Sequence, residues 1–338
     1  MGRAAGAARG YDAPMSMSKR VLLVGAGAVG QVYARYLRAA GCEVSFLVKP
    51  AHAAQVRAGL TLHVFHGLSH TPRPEPLTVA EVLTSADEAA ARAWDQVWLC
   101  VPSTALREGG WVAALAAATG EATWVMLQPA LEDRAFLLQW VGAERLLVGA
   151  IPFIAFAAPL TPGAAPASGT ALWMPPLASG LLAGPAARLA DVTATLRAGG
   201  YPARRSADVA KAIAVPSAAL TALVAGLEAV GWRFEALMQR EARQRTVEAA
   251  REAVRVAAQH VRAGAGLPRA VLRPGVLRLL PLVARLVPFD LEAYLRVHFT
   301  KVRAQTQLML EEYVALGQRA GLPVARLQGL LRPPGPGA

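Results

Sequence analysis

The 338-residue sequence predicts an α/β fold, with a Rossmann-type doubly wound sheet at the N-terminus and an all-helical domain after it. Three observations carry this reading. Four apolar residues at Val21–Val24 run into Gly25-x-Gly27-x-x-Gly30 and then into a helix-forming segment. Apolar runs separated by helical patterns follow as far as Arg205. From Ala207 onward every long segment has helical periodicity. The length supports two cores, because single cores commonly stop growing near ~250 residues.

The stretch VLLVGAGAVG reads as strand, tight turn and helix. The first glycine permits the turn, the second lets a pyrophosphate approach the backbone, and the third brings the helix close to the strand. The N–H groups of Ala26, Gly27, Ala28 and Val29 then stand at a helix N-terminus, where they and the helix dipole favour phosphate. The helix continues over Gln31–Ala40 and stops at Gly41, and Val44–Val48 is the second strand. An acidic residue at the end of that strand would accept hydrogen bonds from the ribose of NAD, whereas a cation suits the 2′-phosphate of NADP. The residue here is Lys49, which favours NADP(H).

His63, His66 and His70 lie in LHVFHGLSH, ahead of TPRPEP. In a strand His63 and His66 face opposite sides, so a hairpin and loop are expected and no metal site is assigned. Gln96–Val101 is a buried strand, and its end places Cys100, Val101 and Pro102 beside the cofactor, because ligands lie beyond the carboxyl ends of such strands. Trp124–Leu127 is the next strand and puts Gln128, followed by Pro129-Ala130, in an equivalent position. Leu146–Ile151, an antiparallel Thr170–Met174, Leu181–Ala183, a helix over Pro185–Ala198 and Tyr201–Arg205 complete a dinucleotide-binding domain over 19–205. A helical domain for substrate or dimerisation follows over 206–330, with residues 1–18 and 331–338 as disordered leader and tail. Met1, Met15 and Met17 all remain candidate starts.

Within the helical domain the expectation is one helix over Ala207–Val230, kinked at Pro216, and an amphipathic helix over Arg233–Ala263. Short helical pieces across the prolines of Leu267–Pro288 and a last long helix over Leu291–Ala320 complete it. On that last helix Tyr294, His298, Lys301 and Gln305 share about 60° of arc at ~100° per residue. This row of titratable and polar groups beside an apolar face is a candidate substrate site, with a solvated helix flank as the alternative.

Composition narrows the function. The net charge is +12, but the arginines are scattered, without a dense basic run or interleaved aromatics, so nucleic acid is not the expected partner. Only four of the 35 basic residues are lysines: Lys19, Lys49, Lys211 and Lys301. Arginine cannot replace lysine where a side chain must titrate, which makes Lys211 and Lys301 candidate proton donors. The apolar stretches Leu146–Leu160 and Ala212–Val230 are interrupted by proline or charge and read as buried elements, not membrane spans. For VLRLLPLVARLV, core or partner packing is preferred over a membrane-surface helix. Two cysteines and no apolar signal segment lead to the expectation of a reduced, cytoplasmic protein.

The strand–GAGAVG–helix unit, the lysine after the second strand, the Leu-Gln at 127–128, GAERLLVGA at 142–150 and Leu-Thr-Ala at 220–222 together resemble the ketopantoate reductase (2-dehydropantoate 2-reductase) family. The resemblance extends from Lys19 to about Leu330. It implies a 6-phosphogluconate-dehydrogenase-like helical domain and reduction of a 2-oxo acid by NADPH in the cleft between the domains. It also implies a helical-domain lysine as general acid and, at the family level, a homodimer through that domain. Departures from the pattern are specific. The family's LQNG appears as Leu127-Gln128-Pro129-Ala130, without its asparagine, and the lysine after the fourth strand is matched by Pro102. The catalytic lysine's position falls on Ala210, one residue from Lys211, and the family's glutamate is matched by Gln305. Three readings follow: an NADPH-dependent 2-oxo acid reductase, a reductase of another carbonyl or an imine, and a non-catalytic NADP(H) sensor. Lys211 is favoured as the acid by resemblance, while Lys301, with His298 and Gln305, is favoured by its surroundings.

Overall fold

The computed structural model describes residues 18–264 and 272–331. The expected leader (1–18) and tail (331–338) lie outside the described residues except for Ser18 and Leu331. The chain begins β1 (Arg20–Val24), α1 (Ala28–Ala39), β2 (Glu43–Leu47), α2 (Pro50–Arg57), β3 (Leu60–Phe65), β4 (Arg73–Leu77), β5 (Glu81–Leu83) and α3 (Ala86–Ala90). It continues with β6 (Gln96–Leu99), α4 (Ser103–Leu106), α5 (Trp111–Ala118), β7 (Thr123–Met126), α6 (Asp133–Leu137) and β8 (Leu146–Gly149). Then come β9 (Ile154–Ala158), β10 (Gly169–Trp173), β11 (Gly180–Ala183), α7 (Ala186–Ala198) and β12 (Ala203–Arg205).

The main sheet has the order β12-β11-β8-β7-β6-β1-β2-β5. All neighbours are parallel except β11 against β8. Strand order reverses between β1 and β6, and that crevice is where a doubly wound sheet binds its ligand. Because both faces are covered, β1, β6, β7 and β8 read as apolar runs instead of alternating patterns. Trp98 and Trp124, fully buried on neighbouring strands, belong to the cores on opposite faces of this sheet.

Residues 60–77 and 154–173 form a second sheet, ordered β4-β3-β10-β9. The expected hairpin around His63 is β3 and β4, and Thr170–Met174 is β10, antiparallel to β9 but parallel to β3. His63 Nε2 lies 2.6 Å from the Ser168 carbonyl oxygen, so its ring is held across this sheet. Sequence periodicity did not separate these strands from the main sheet, because β3 and β10 pair residues more than a hundred positions apart, such as Leu62 with Thr170, and leave no local signal.

After β12 the structure is helical: α8 (Val209–Ala229), α9 (Phe234–Met238), α10 (Arg240–His260), α11 (Pro274–Leu277), α12 (Leu280–Ala284), α13 (Leu291–Lys301), α14 (Arg303–Arg319) and α15 (Ala325–Gln328). The Asp208 side chain caps α8 by accepting from the Lys211 N–H at 2.9 Å. By length and composition α8 could cross a bilayer, but half of its apolar window is buried. Its small residues Ala218, Ala222 and Ala225 share a core with Ala249, Ala250 and Ala253 of α10. The two helices approach so closely that a Cβ on Gly226 would stand 2.3 Å from Thr246 Cγ2.

Two expected helices are each divided. Arg233–Ala263 breaks at Gln239, whose ψ of 140° is not helical. Before the break, Phe234 and Leu237 pack with Trp232; after it, α10 packs on α8. Leu291–Ala320 breaks at Val302, with φ −105° and ψ 25°. There Tyr294 joins aromatic residues of the small sheet, whereas Met309, Leu310 and Tyr313 join α8 and α10. In both cases the two halves bury different faces against different partners, and packing overrides a continuous helical pattern.

Candidate active site

The glycine turn is shaped by what lies around it. Gly25 has φ +99°, and a Cβ there would also meet Val101 Cγ1 at 2.9 Å and the Cys100 carbonyl at 3.1 Å, so only glycine lets β1 end against the end of β6. A Cβ on Gly30 would lie 2.1 Å from the Gly25 carbonyl oxygen, which explains the close seating of α1. Gly27, the residue before α1, has nothing within 4 Å in the corresponding direction. Packing therefore explains Gly25 and Gly30 but not Gly27, and the open space at Gly27 is where a pyrophosphate would approach. The turn fits a dinucleotide, with the N–H groups of the Ala26–Val29 segment as its donors.

Lys49 directly follows β2 and Val48 and is exposed, with Nζ 3.4 Å from Glu108 Oε2. The strand end that lacks an acid in sequence thus has one supplied from the loop after α4. Cys100 packs against the core, and burial raises its thiol pKa, which argues against a thiolate nucleophile. Gln128 is buried: its amide nitrogen donates to the Leu99 and Val101 carbonyls at 2.9 and 2.7 Å, and its carbonyl accepts from the Leu127 N–H. Its polar atoms are thereby used to brace β7 against β6, so among the expected cofactor residues it positions the crevice.

A network missed in the sequence joins the two domains at this point. Asp133 is fully buried and accepts from Ser103 Oγ at 2.7 Å, Arg107 Nη1 at 2.6 Å and the Ala130 N–H at 3.0 Å. From α14, Glu312 accepts from the Leu131 N–H at 3.0 Å and stands 3.5 Å from Arg107. Gln305 Oε1, also on α14, accepts from the Ser103 N–H at 2.9 Å. One helix therefore clasps the loops that follow both β6 and β7. Burial, reinforced by Asp133, pushes the Glu312 carboxyl up to about 7 against the opposing pull of Arg107 and the Leu131 N–H. Its local traces in the sequence are the i, i+4 spacing of Ser103 and Arg107 and the i, i+3 spacing of Ala130 and Asp133.

The candidate row on the C-terminal helices is not one surface, because the break at Val302 separates Gln305 from Tyr294, His298 and Lys301. Gln305 caps the start of α4, as described. The Tyr294 ring lies 5.6 Å from both Phe156 and Phe289 and stacks on His298 at 5.2 Å. Burial, aided by Lys301, lowers the His298 pKa to about 4, so its imidazole is neutral near pH 7. Lys301 is exposed at the C-terminal end of α13.

Lys211 has different surroundings. It lines a cavity of about 310 Å³ together with Gln128, Pro129, Ala130 and residues of α6, α8 and the end of α10. The cavity lies between the domains and starts at the residues braced to Val101, whose side chain abuts the glycine turn. A larger, open groove of about 660 Å³, lined by Asp95, Thr123 and Arg188, sits at the amino ends of β6 and β7. That is the wrong end of a doubly wound sheet for its cofactor.

Residues 21–166 match the family model described as Ketopantoate reductase PanE/ApbA. The match spans most of the dinucleotide-type sheet with its glycine turn and ends before the helical domain. The family is one of oxidoreductases. Among solved structures, a PanE/ApbA family ketopantoate reductase from Ralstonia eutropha JMP134 is similar at 20% identity, covering 92% of this chain and 95% of that one with a TM-score of 0.66. A D-mandelate dehydrogenase, solved with NADH and anilino(oxo)acetate, is similar at 13% identity over the same shares with a TM-score of 0.66. A 2-dehydropantoate 2-reductase from Geobacter metallireducens GS-15 is similar at 18% identity, covering 92% and 97% with a TM-score of 0.59. At these identities the structures establish a shared two-domain fold. None of the curated proteins matches the sequence.

Proposed function

We propose that the protein is a nicotinamide-dependent reductase of a 2-oxo acid, with NADPH as the preferred cofactor and Lys211 as the general acid. The observation that carries the proposal is the placement of Lys211 in the interdomain cavity that begins where the cofactor crevice ends. When bound, the nicotinamide supplies a hydride to the carbonyl carbon. The Lys211 ammonium then gives a proton to the developing alkoxide and regains one from solvent, while Gln128 holds the two strand ends in register. The match of residues 21–166 to a ketopantoate reductase model and the empty approach at Gly27 support cofactor chemistry. Lys49 at the end of β2 supports NADPH over NADH, and its exposure leaves it free to exchange Glu108 for a 2′-phosphate. Two free cysteines are consistent with a cytoplasmic setting.

The test is to follow NADPH and NADH oxidation against ketopantoate, other 2-oxo acids, ketones and imines, using the parent protein, Lys211→Ala and Lys301→Ala. The expected outcome is turnover of 2-oxo acids with NADPH, a loss of about 10²-fold or more in kcat for Lys211→Ala, and less than about threefold for Lys301→Ala. Turnover confined to ketones or imines would move the substrate class. Tight NADPH binding without any turnover would make the protein a sensor.

A further inference from the structure

We propose that the substrate is a 2-oxo acid with an apolar side group of at least branched-chain size, seated in the cavity beside Lys211. This rests on the reductase reading and adds the substrate's shape and polarity. Much of the lining around Lys211 is apolar: Leu138 just after α6, Ile213 and Ala214 on α8, and Pro129-Ala130 from the loop after β7. Pro129 stands where the family resemblance implies an asparagine, and proline has neither a side-chain donor nor a backbone N–H to offer a polar substituent. Gln128 cannot compensate, because its amide group is already bonded to Leu127, Leu99 and Val101.

Polar character returns among the remaining residues of the cavity. Lys211, Arg134 and His260 also line it and are exposed, while the accompanying acid, Asp208, is engaged in capping α8. An apolar wall with cationic groups around it fits an amphipathic anion, with the carboxylate held by Arg134 and the side group against Leu138 and Ile213. A volume of about 310 Å³ exceeds what a pyruvate-sized acid fills and lies at the lower end of ordinary ligand pockets. A hydroxylated side group would place its oxygen against a wall that offers no hydrogen bond.

The experiment measures kcat/KM with NADPH for pyruvate, ketopantoate, 2-oxoisovalerate, 2-oxoisocaproate and phenylpyruvate, with NADPH affinity read separately by fluorescence. Two variants fill the wall: Leu138→Trp and, in case that fails to fold, Ala135→Leu on its exposed side. The expected result is a preference of roughly tenfold or more for branched or aromatic acids over ketopantoate. In the variants that preference should shrink by about tenfold, through KM, with NADPH affinity retained. A preference for ketopantoate or pyruvate, or variants that slow every acid equally, would overturn the substrate class while leaving the reductase intact. NADPH binding without reduction of any 2-oxo acid would instead overturn the reductase reading itself.

Discussion

Single residues divide into those whose roles follow from sequence position and those defined only by their neighbours. The proposed role of Lys49 follows from position, just beyond the second strand of the glycine-turn unit. Glu312 follows from its neighbours alone, because its place on a helical face says nothing of Arg107 or the Leu131 N–H. Its carboxyl, raised to about 7, binds a proton in the folded protein across a range in which the unfolded chain has released it. Stability therefore falls through this group as pH rises from about 4.5 to 7. Glu312→Gln keeps an acceptor for Leu131 and removes the titration. Relative to the parent, the variant should gain on the order of 1–3 kcal/mol between pH 5 and pH 8, measured by urea unfolding at both values. His298 acts in the opposite sense, since its depressed pKa adds stability as pH rises from about 4 to 6.5. The comparison of variant with parent cancels that contribution.

At the scale of elements, the glycine turn separates packing from ligand binding. Gly30→Ala introduces a Cβ into the Gly25 carbonyl and should destabilise the protein by roughly 1–3 kcal/mol, the usual range for overpacking, as a fall in the thermal midpoint. Gly27→Ala enters open space at φ −70°, an ordinary angle for alanine. Its midpoint should stay close to that of the parent while NADPH affinity drops several-fold in a fluorescence titration. The two divided helices show the reverse relation between element and context. Neither Gln239 nor Val302 is a proline or glycine, so no helix breaker marks the sites. Each break appears only because the segments on its two sides have different cores to fill.

For the whole molecule, Arg107 is one of the points at which the domains meet. It bonds Asp133 of its own domain, lies beside Glu312 of the other, and donates to the Ser103 carbonyl. Arg107→Ala would leave a fully buried Asp133 without its cation and should cost about 3–5 kcal/mol in calorimetric or urea unfolding. The loss should be smaller at pH 5, where Glu312 is protonated in the folded state. The glycine turn, the strands β6 and β7 and the helical character beyond Ser206 were legible from sequence, because periodicity and turn chemistry are properties of contiguous residues. The same local logic exposed Lys211 and Lys301 as the scarce lysines of an arginine-rich chain, but it could not choose between them. In the tertiary structure both lysines are exposed, but Lys211 lines a cavity with Pro129 while Lys301 lies at a helix end, and the proposed mechanism rests on that difference. Tertiary structure also divided Tyr294–Gln305 into two surfaces, built a second sheet and assembled the Asp133–Arg107–Glu312 clasp. Each of these depends on residues far apart in the chain becoming neighbours, which the pattern around any one of them does not encode.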